Sequence, residues 1–171
     1  MDFKNRQHHL FIIATFISIA SIMTWHVSSH IFFWDTVQLG AKHGIHFYET
    51  RFAEILLPNT FDSGHVPIFG MYLALMWIFF GKSLFVSHFV MLPFLIGIIF
   101  QAYFLIKRFV PDHDVPYALV LFLIQPTLLG QSVLVSPDIP LVFFFLLALN
   151  GVLCNRRVLL LLGIAGLFLI S

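Results

Sequence analysis

Long apolar runs, separated by short polar breaks and one long polar stretch at 35–66, leave this chain few folds to choose from. They fall at about 10–34, 67–80, 84–106, 117–135, 139–154 and 158–170. The first is roughly 25 residues long, more than the ~20 a helix needs to cross a bilayer core. Apolar residues make up 60% of the chain, charged residues only 10%, and the mean hydropathy is +0.96. Soluble domains carry about 25% charged residues, so a water-soluble domain is excluded. Lipid offers the backbone no hydrogen-bond partners, so apolar runs of this length predict helices that satisfy their own amides. The expected fold is therefore all-α, a polytopic transmembrane bundle. The 22 Phe and 3 Trp suit a lipid-facing surface with interfacial anchors. A net charge of +1 gives no nucleic-acid footprint, and the single cysteine, Cys154, excludes an internal disulfide.

The basic residues indicate how the chain is threaded. Lys4/Arg6, Lys107/Arg108 and Arg156/Arg157 form three clusters, and such clusters favour the cytoplasmic side. The first apolar run exceeds the 7–15 residues of a cleavable signal's core, so it reads as a retained first span with a cytoplasmic N-terminus. Three apolar runs separate the first two clusters, yet an even number of crossings must do so. One run therefore does not cross. Residues 67–80, about 14 residues or ~21 Å of helix, fall short of a ~30 Å core and read as a re-entrant or surface-lying helix. The outer loop 35–83 then carries juxtamembrane helices, including an amphipathic interfacial one at about 37–55 (Lys42, Glu49, Arg51, Glu54). Spans at 84–106, 117–135 and 139–154 follow. The last run, from Val158, is too short to span, so residues 1–171 read as the N-terminal part of a larger bundle and are expected to be inactive on their own.

With this threading Asp35, Asp62, His65 and Asp138 all emerge on one extracytoplasmic face. Ionisable groups at membrane depth are costly and mark functional sites. Asp35 follows Phe32-Phe33-Trp34; it fits either a helix N-cap before Thr36 or a carboxylate aimed into an outer cavity. Asp62-Ser63-Gly64-His65-Val66-Pro67 suits a plain loop-to-helix junction, except that a junction has no use for the imidazole of His65. Ser136-Pro137-Asp138-Ile139-Pro140 sits between two spans, where prolines free backbone carbonyls that lipid tolerates only beside protein or water. His43 and His46, at i, i+3 spacing with Glu49 beyond, could bind a metal but lack further ligands set by spacing. His26 and His30 are expected to face the bundle from the first helix, and His8, His9 and His113 to be solvated. Asp112 and Asp114 read as a cytoplasmic turn; Gln101, Gln125, Gln131 and Asn150 read as bonds between helices.

Four passages together resemble the GT-C class of membrane glycosyltransferases, in the bacterial branch related to protein O-mannosyltransferases and the lipid A aminoarabinose transferase. They are Trp34-Asp35, Asp62-Ser63-Gly64-His65-Val66-Pro67-Ile68-Phe69, Phe80-Gly81-Lys82-Ser83-Leu84 and Ser136-Pro137-Asp138-Ile139-Pro140-Leu141. The resemblance implies inverting transfer of a sugar from a polyprenyl-phosphate-linked donor to a glycan, lipid or protein acceptor, outside the bacterial inner membrane. It gives Asp35 the role of base and Asp138 that of orienting a sugar. Asp62 and His65 would shape the loop or hold a divalent metal ion, with Lys82 and Arg51 near the phosphate. Two positions depart from the pattern: Val66 replaces a proline, and His88 stands where relatives carry an arginine. The rival readings are a non-catalytic membrane subunit and a transporter, of which the latter would hold its acids near mid-membrane.

Overall fold

A computed structural model describes residues 3–170, with side chains from Gln7 onward; the side chains of Lys4 and Arg6 lie outside the described residues. All its regular structure is helical, with no strand among the described residues. Two helices, Gln7–Val27 and Leu84–Phe109, are long and apolar enough to cross a membrane.

The first helix, α1 (Phe3–Val27), buries little of its apolar surface in the protein. Its hydroxyls return to the backbone, Thr15 Oγ1 to the Phe11 carbonyl at 2.8 Å and Ser21 Oγ to Ile17 at 2.9 Å, so neither is left unpaired in an apolar setting. The helix stops seven residues short of the expected end at Trp34. Ser28 folds back instead, its hydroxyl donating to the Trp25 carbonyl at 2.7 Å, and residues 28–33 are irregular. A short turn α2 (Trp34–Thr36) and a π-helical stretch (Val37–Ala41) lead into α3 (Lys42–Glu49). The expected interfacial helix at 37–55 is thus shorter, and it is not merely surface-lying, because His43, His46 and Phe47 are buried.

The next helix, α4 (Ile68–Phe80), begins at Pro67 and ends at Gly81, whose φ of +90° favours glycine and whose N–H closes on the Trp77 carbonyl. Its 13 residues give about 20 Å of helix, too short for a lipid core. It packs side by side with the π stretch and α3, where Gly40 faces Phe69 and Leu73 and Gly44 faces Trp77.

Helices α5 (Leu84–Phe89) and α6 (Leu92–Phe109) run as one 26-residue apolar element with a break at Val90-Met91 just before Pro93. Ser83 caps it, accepting from Val86 N at 3.1 Å. The element runs antiparallel to α1: Trp25 meets Phe85 and Phe89 at one end, and His9 meets Tyr103 at the other.

Residues 117–135 do not form the single straight span expected of them. They divide into α7 (Val115–Leu123) and α8 (Pro126–Ser132), bent by 62°. Pro126 lacks an N–H and pushes Gln125 to an extended ψ of 127°, which ends α7.

Helix α9 (Asp138–Leu153) returns, and Asn155, at φ +51°, turns the chain into α10 (Arg157–Ile170). Small residues let α9 and α10 approach closely: a Cβ on Gly163 would sit 2.5 Å from the Ala148 backbone nitrogen. The bond expected between helices forms where Asn150 Nδ2 donates to Gln101 at 2.9 Å.

The core is a cluster joining Phe69, Leu73 and Trp77 of α4 to Met91, Leu95 and Ile98 and to Val135, Ile139 and Leu146. A second cluster ties Ile13 to Ala102, Leu119 and Leu123.

Candidate functional site

The irregular stretch after α1 and the turn before α9 come together at one end of the helices. Val27, His30, Ile31, Phe32, Phe33 and Trp34 form one wall of a cavity of about 320 Å³, and Val133, Leu134 and Val135 form another. His88 of α5 completes the lining. Asp35 follows this wall by one residue and Asp138 follows it by three. The two acid motifs thus flank one cavity, although neither carboxylate lines it.

Asp35 is the second residue of α2 and is exposed; Phe33, not Asp35, stands at the N-cap, and no side-chain cap forms. Asp138 is the first residue of α9, also exposed, with its backbone N–H donating to Ser136 Oγ at 3.2 Å. A carboxylate in this first turn is stabilised by the helix's positive end. No hydrogen bond or ion pair among the described residues reaches either carboxylate. Asp138 opens on a second cavity of about 350 Å³ at the α7–α8 bend, beside Gln125, Thr127 and Gln131. Gln125 bonds within its own helix turn, to the Leu121 carbonyl, and the Gln131 side-chain oxygen is buried without a partner, so neither joins two helices as expected.

Asp62 and His65 belong to a different cluster, around α3. The Asp62 carboxylate accepts from Gly64 N at 2.8 Å, an Asx turn that shapes the loop. Ser63 Oγ lies 3.1 Å from Nε2 of the fully buried His43. Burial pushes the His43 imidazole below its ordinary 6.5; the Asp62 carboxylate opposes this, while His65 and Lys42 add to it. His46, also buried, stands 4.0 Å from Glu54, beyond hydrogen-bond reach. Among the described residues, no group of three or more His, Cys, Asp or Glu side chains could hold a metal ion.

Lys82 and Arg51 form a third cluster. Lys82 Nζ is 4.0 Å from Glu49 and 5.4 Å from the Tyr48 ring centre, and Arg51 lies 5.2 Å from the same ring. Aromatic faces and an exposed carboxylate hold these two cations, away from the lining of the cavity between the acids.

Three histidines fall elsewhere than the sequence suggests. His26 is exposed, and His30 lies past the end of α1, on the cavity wall. His9 is buried rather than solvated: Nε2 meets the Asp112 carbonyl at 2.9 Å and Nδ1 the Tyr103 hydroxyl at 3.3 Å. The sequence marks His88 only as a departure from the family pattern and gives it no role. Its signal was a lone imidazole within the otherwise apolar run Leu84–Phe89, and the fold buries it against the cavity.

No family model, curated protein or solved structure matches the chain.

Proposed function

We propose that this chain is the acid-bearing part of a polytopic membrane glycosyltransferase, which moves a sugar from a polyprenyl-phosphate-linked donor to an acceptor hydroxyl on the extracytoplasmic face. One observation carries the reading: two acid motifs distant in sequence, Trp34-Asp35 and Ser136-Pro137-Asp138, flank a single cavity at one helix end. Lipid penalises carboxylates within its core, and an exposed carboxylate at a helix end meets water. The cavity's exposed aromatic rim, Phe33 and Trp34, suits the apolar neck of a lipid donor, while the carboxylates can hold sugar hydroxyls. Basic groups favour the opposite end, where Arg108 reaches Cys154 and α6 and α9 both finish. A transporter would carry its acids near mid-membrane, whereas Asp35 and Asp138 sit at one end of the helices.

Sugar transfer with inversion needs a carboxylate or imidazole near the attacking hydroxyl and a held donor. The test is donor consumption in proteoliposomes, with polyprenyl-phosphate-linked mannose, glucose and aminoarabinose offered in turn. At least one of these is consumed by the full-length wild-type protein, and Asp35→Asn and Asp138→Asn each slow that by about 100-fold, in line with the loss of one positioned polar group. Consumption at the wild-type rate in both variants would remove the carboxylates from the reaction.

A further inference from the structure

We propose that His88 is the general base of this cavity, taking the proton of the attacking hydroxyl on Nε2. This rests on the transferase reading above and moves the role of base away from Asp35.

The argument starts from the tautomer. His88 Nδ1 lies 2.9 Å from the Leu84 carbonyl oxygen, one turn back in the same helix. A carbonyl can only accept, so Nδ1 carries the hydrogen, and in the neutral ring Nε2 then holds a bare lone pair. Among the described residues that nitrogen has no hydrogen-bond partner, and it is not fully sealed from its surroundings. The ring is 95% buried (5% exposed) and lines the cavity between the two acid motifs, with the Phe32 ring 6.3 Å away. An acceptor nitrogen held by a fixed bond on its far side is the arrangement a general base needs.

The two carboxylates are less suited to the task. Asp35 is exposed and no described residue holds its side chain, so it can bind a substrate hydroxyl but is not aimed by a partner. Asp138 opens on the neighbouring cavity at the helix bend. The titratable group facing His88 is His30, on the same cavity lining. The walls Phe32–Trp34 and Val133–Val135 bring no charge.

The step balances without any added reagent. The hydroxyl oxygen attacks the anomeric carbon as its proton passes to Nε2. A carbon–oxygen bond forms on one face while the bond to the phosphate oxygen breaks on the other, and the electron pair leaves with the polyprenyl phosphate. The imidazolium gives its proton back to water or to the departing phosphate when products leave.

Two measurements test this. The first needs no substrate: ¹⁵N spectra of the protein labelled at histidine, in micelles, with His88→Asn assigning the signal. A His88 ring protonated on Nδ1 and bare on Nε2 near neutral pH supports the proposal; the opposite tautomer overturns it. The second is donor consumption in proteoliposomes as above, with water and octyl glycosides as acceptors. His88→Asn keeps a donor for the Leu84 carbonyl and removes the base, so turnover drops by about 100-fold or more. The acid limb of the wild-type pH profile disappears with it, and added imidazole restores part of the rate to His88→Ala. Undiminished turnover in His88→Asn, with Asp35→Asn inactive, overturns the assignment of His88 and leaves the transferase reading standing. No consumption of any donor by the wild-type protein overturns both.

Discussion

The two ends of the helices treat their polar groups in opposite ways. At the end where α6 meets α7, three groups are tied up: His9 uses both ring nitrogens, Arg108 reaches Cys154 at 3.3 Å, and His113 stands 3.3 Å from Asp114. At the other end Asp35 and Asp138 have free carboxylates, and His88 commits one nitrogen and leaves the other open to a cavity. A buried or interfacial polar group that is fully paired contributes to stability. One left uncommitted beside a cavity costs stability and is available to a ligand. The comparison therefore separates groups that hold the fold from groups that can do chemistry, without appeal to any relative.

The comparison is broken most readily by the largest effect. Asp138→Asn should cut donor consumption by about 100-fold while costing no more stability than the ~0.3–1 kcal/mol of one charge at a helix end, read as a small fall in the melting temperature in detergent. A matching loss of thermal stability would mean that Asp138 holds the fold after all. Next comes packing between the ends. Gly163→Val forces a side chain onto the Ala148 backbone and should destabilise the α9–α10 pair by about 1–3 kcal/mol, read as a lower melting temperature. His9→Leu should behave as the converse of Asp138→Asn. It strips the Tyr103 hydroxyl and the Asp112 carbonyl of their partner, costs about 1–3 kcal/mol, and leaves transfer per folded molecule intact.

The smallest effect concerns pH. Burial holds the folded-state pKa of His43 below its unfolded 6.5, so the neutral ring's contribution is complete above pH 6.5 and fades as pH falls through the folded value. Proteolysis of the loop 50–67, which Ser63 pins to His43, should thus quicken on going from pH 7.5 to 5.5. His43→Gln should flatten that dependence, and an unchanged slope in the variant would remove His43 as its source.

The helical character and most element positions were legible, because run length and hydropathy act locally. The expected 67–80, 139–154 and 158–170 became Ile68–Phe80, Asp138–Leu153 and Arg157–Ile170. The misses have separate physical causes. Pro126 signalled the break in 117–135, but a continuous apolar composition on either side masked it. Ser28 ended α1 with a side-chain bond that hydropathy does not register. For the candidate site, charge placement and helix parity led to the expectation that Asp35, Asp62, His65 and Asp138 share one face, and the Asp35 and Asp138 motifs flank one cavity. The detachment of Asp62, His65, Lys82 and Arg51 into other clusters was not foreseen, because it depends on how α3 packs against α4. His88 was legible only as a departure from the family pattern, because its setting comes from a bond to a backbone carbonyl and from a cavity formed by distant segments.

The central claim is that the Asp35 and Asp138 ends face one aqueous compartment and the Asp112 turn faces the other. Single cysteines at 35, 138 and 112, in a Cys154→Ser background because Cys154 is itself exposed, can be probed with a membrane-impermeant maleimide on intact cells. The account predicts that 35 and 138 are labelled from outside and that 112 is labelled only after the membrane is opened. Labelling of 138 and 112 together, with 35 apart, would contradict it.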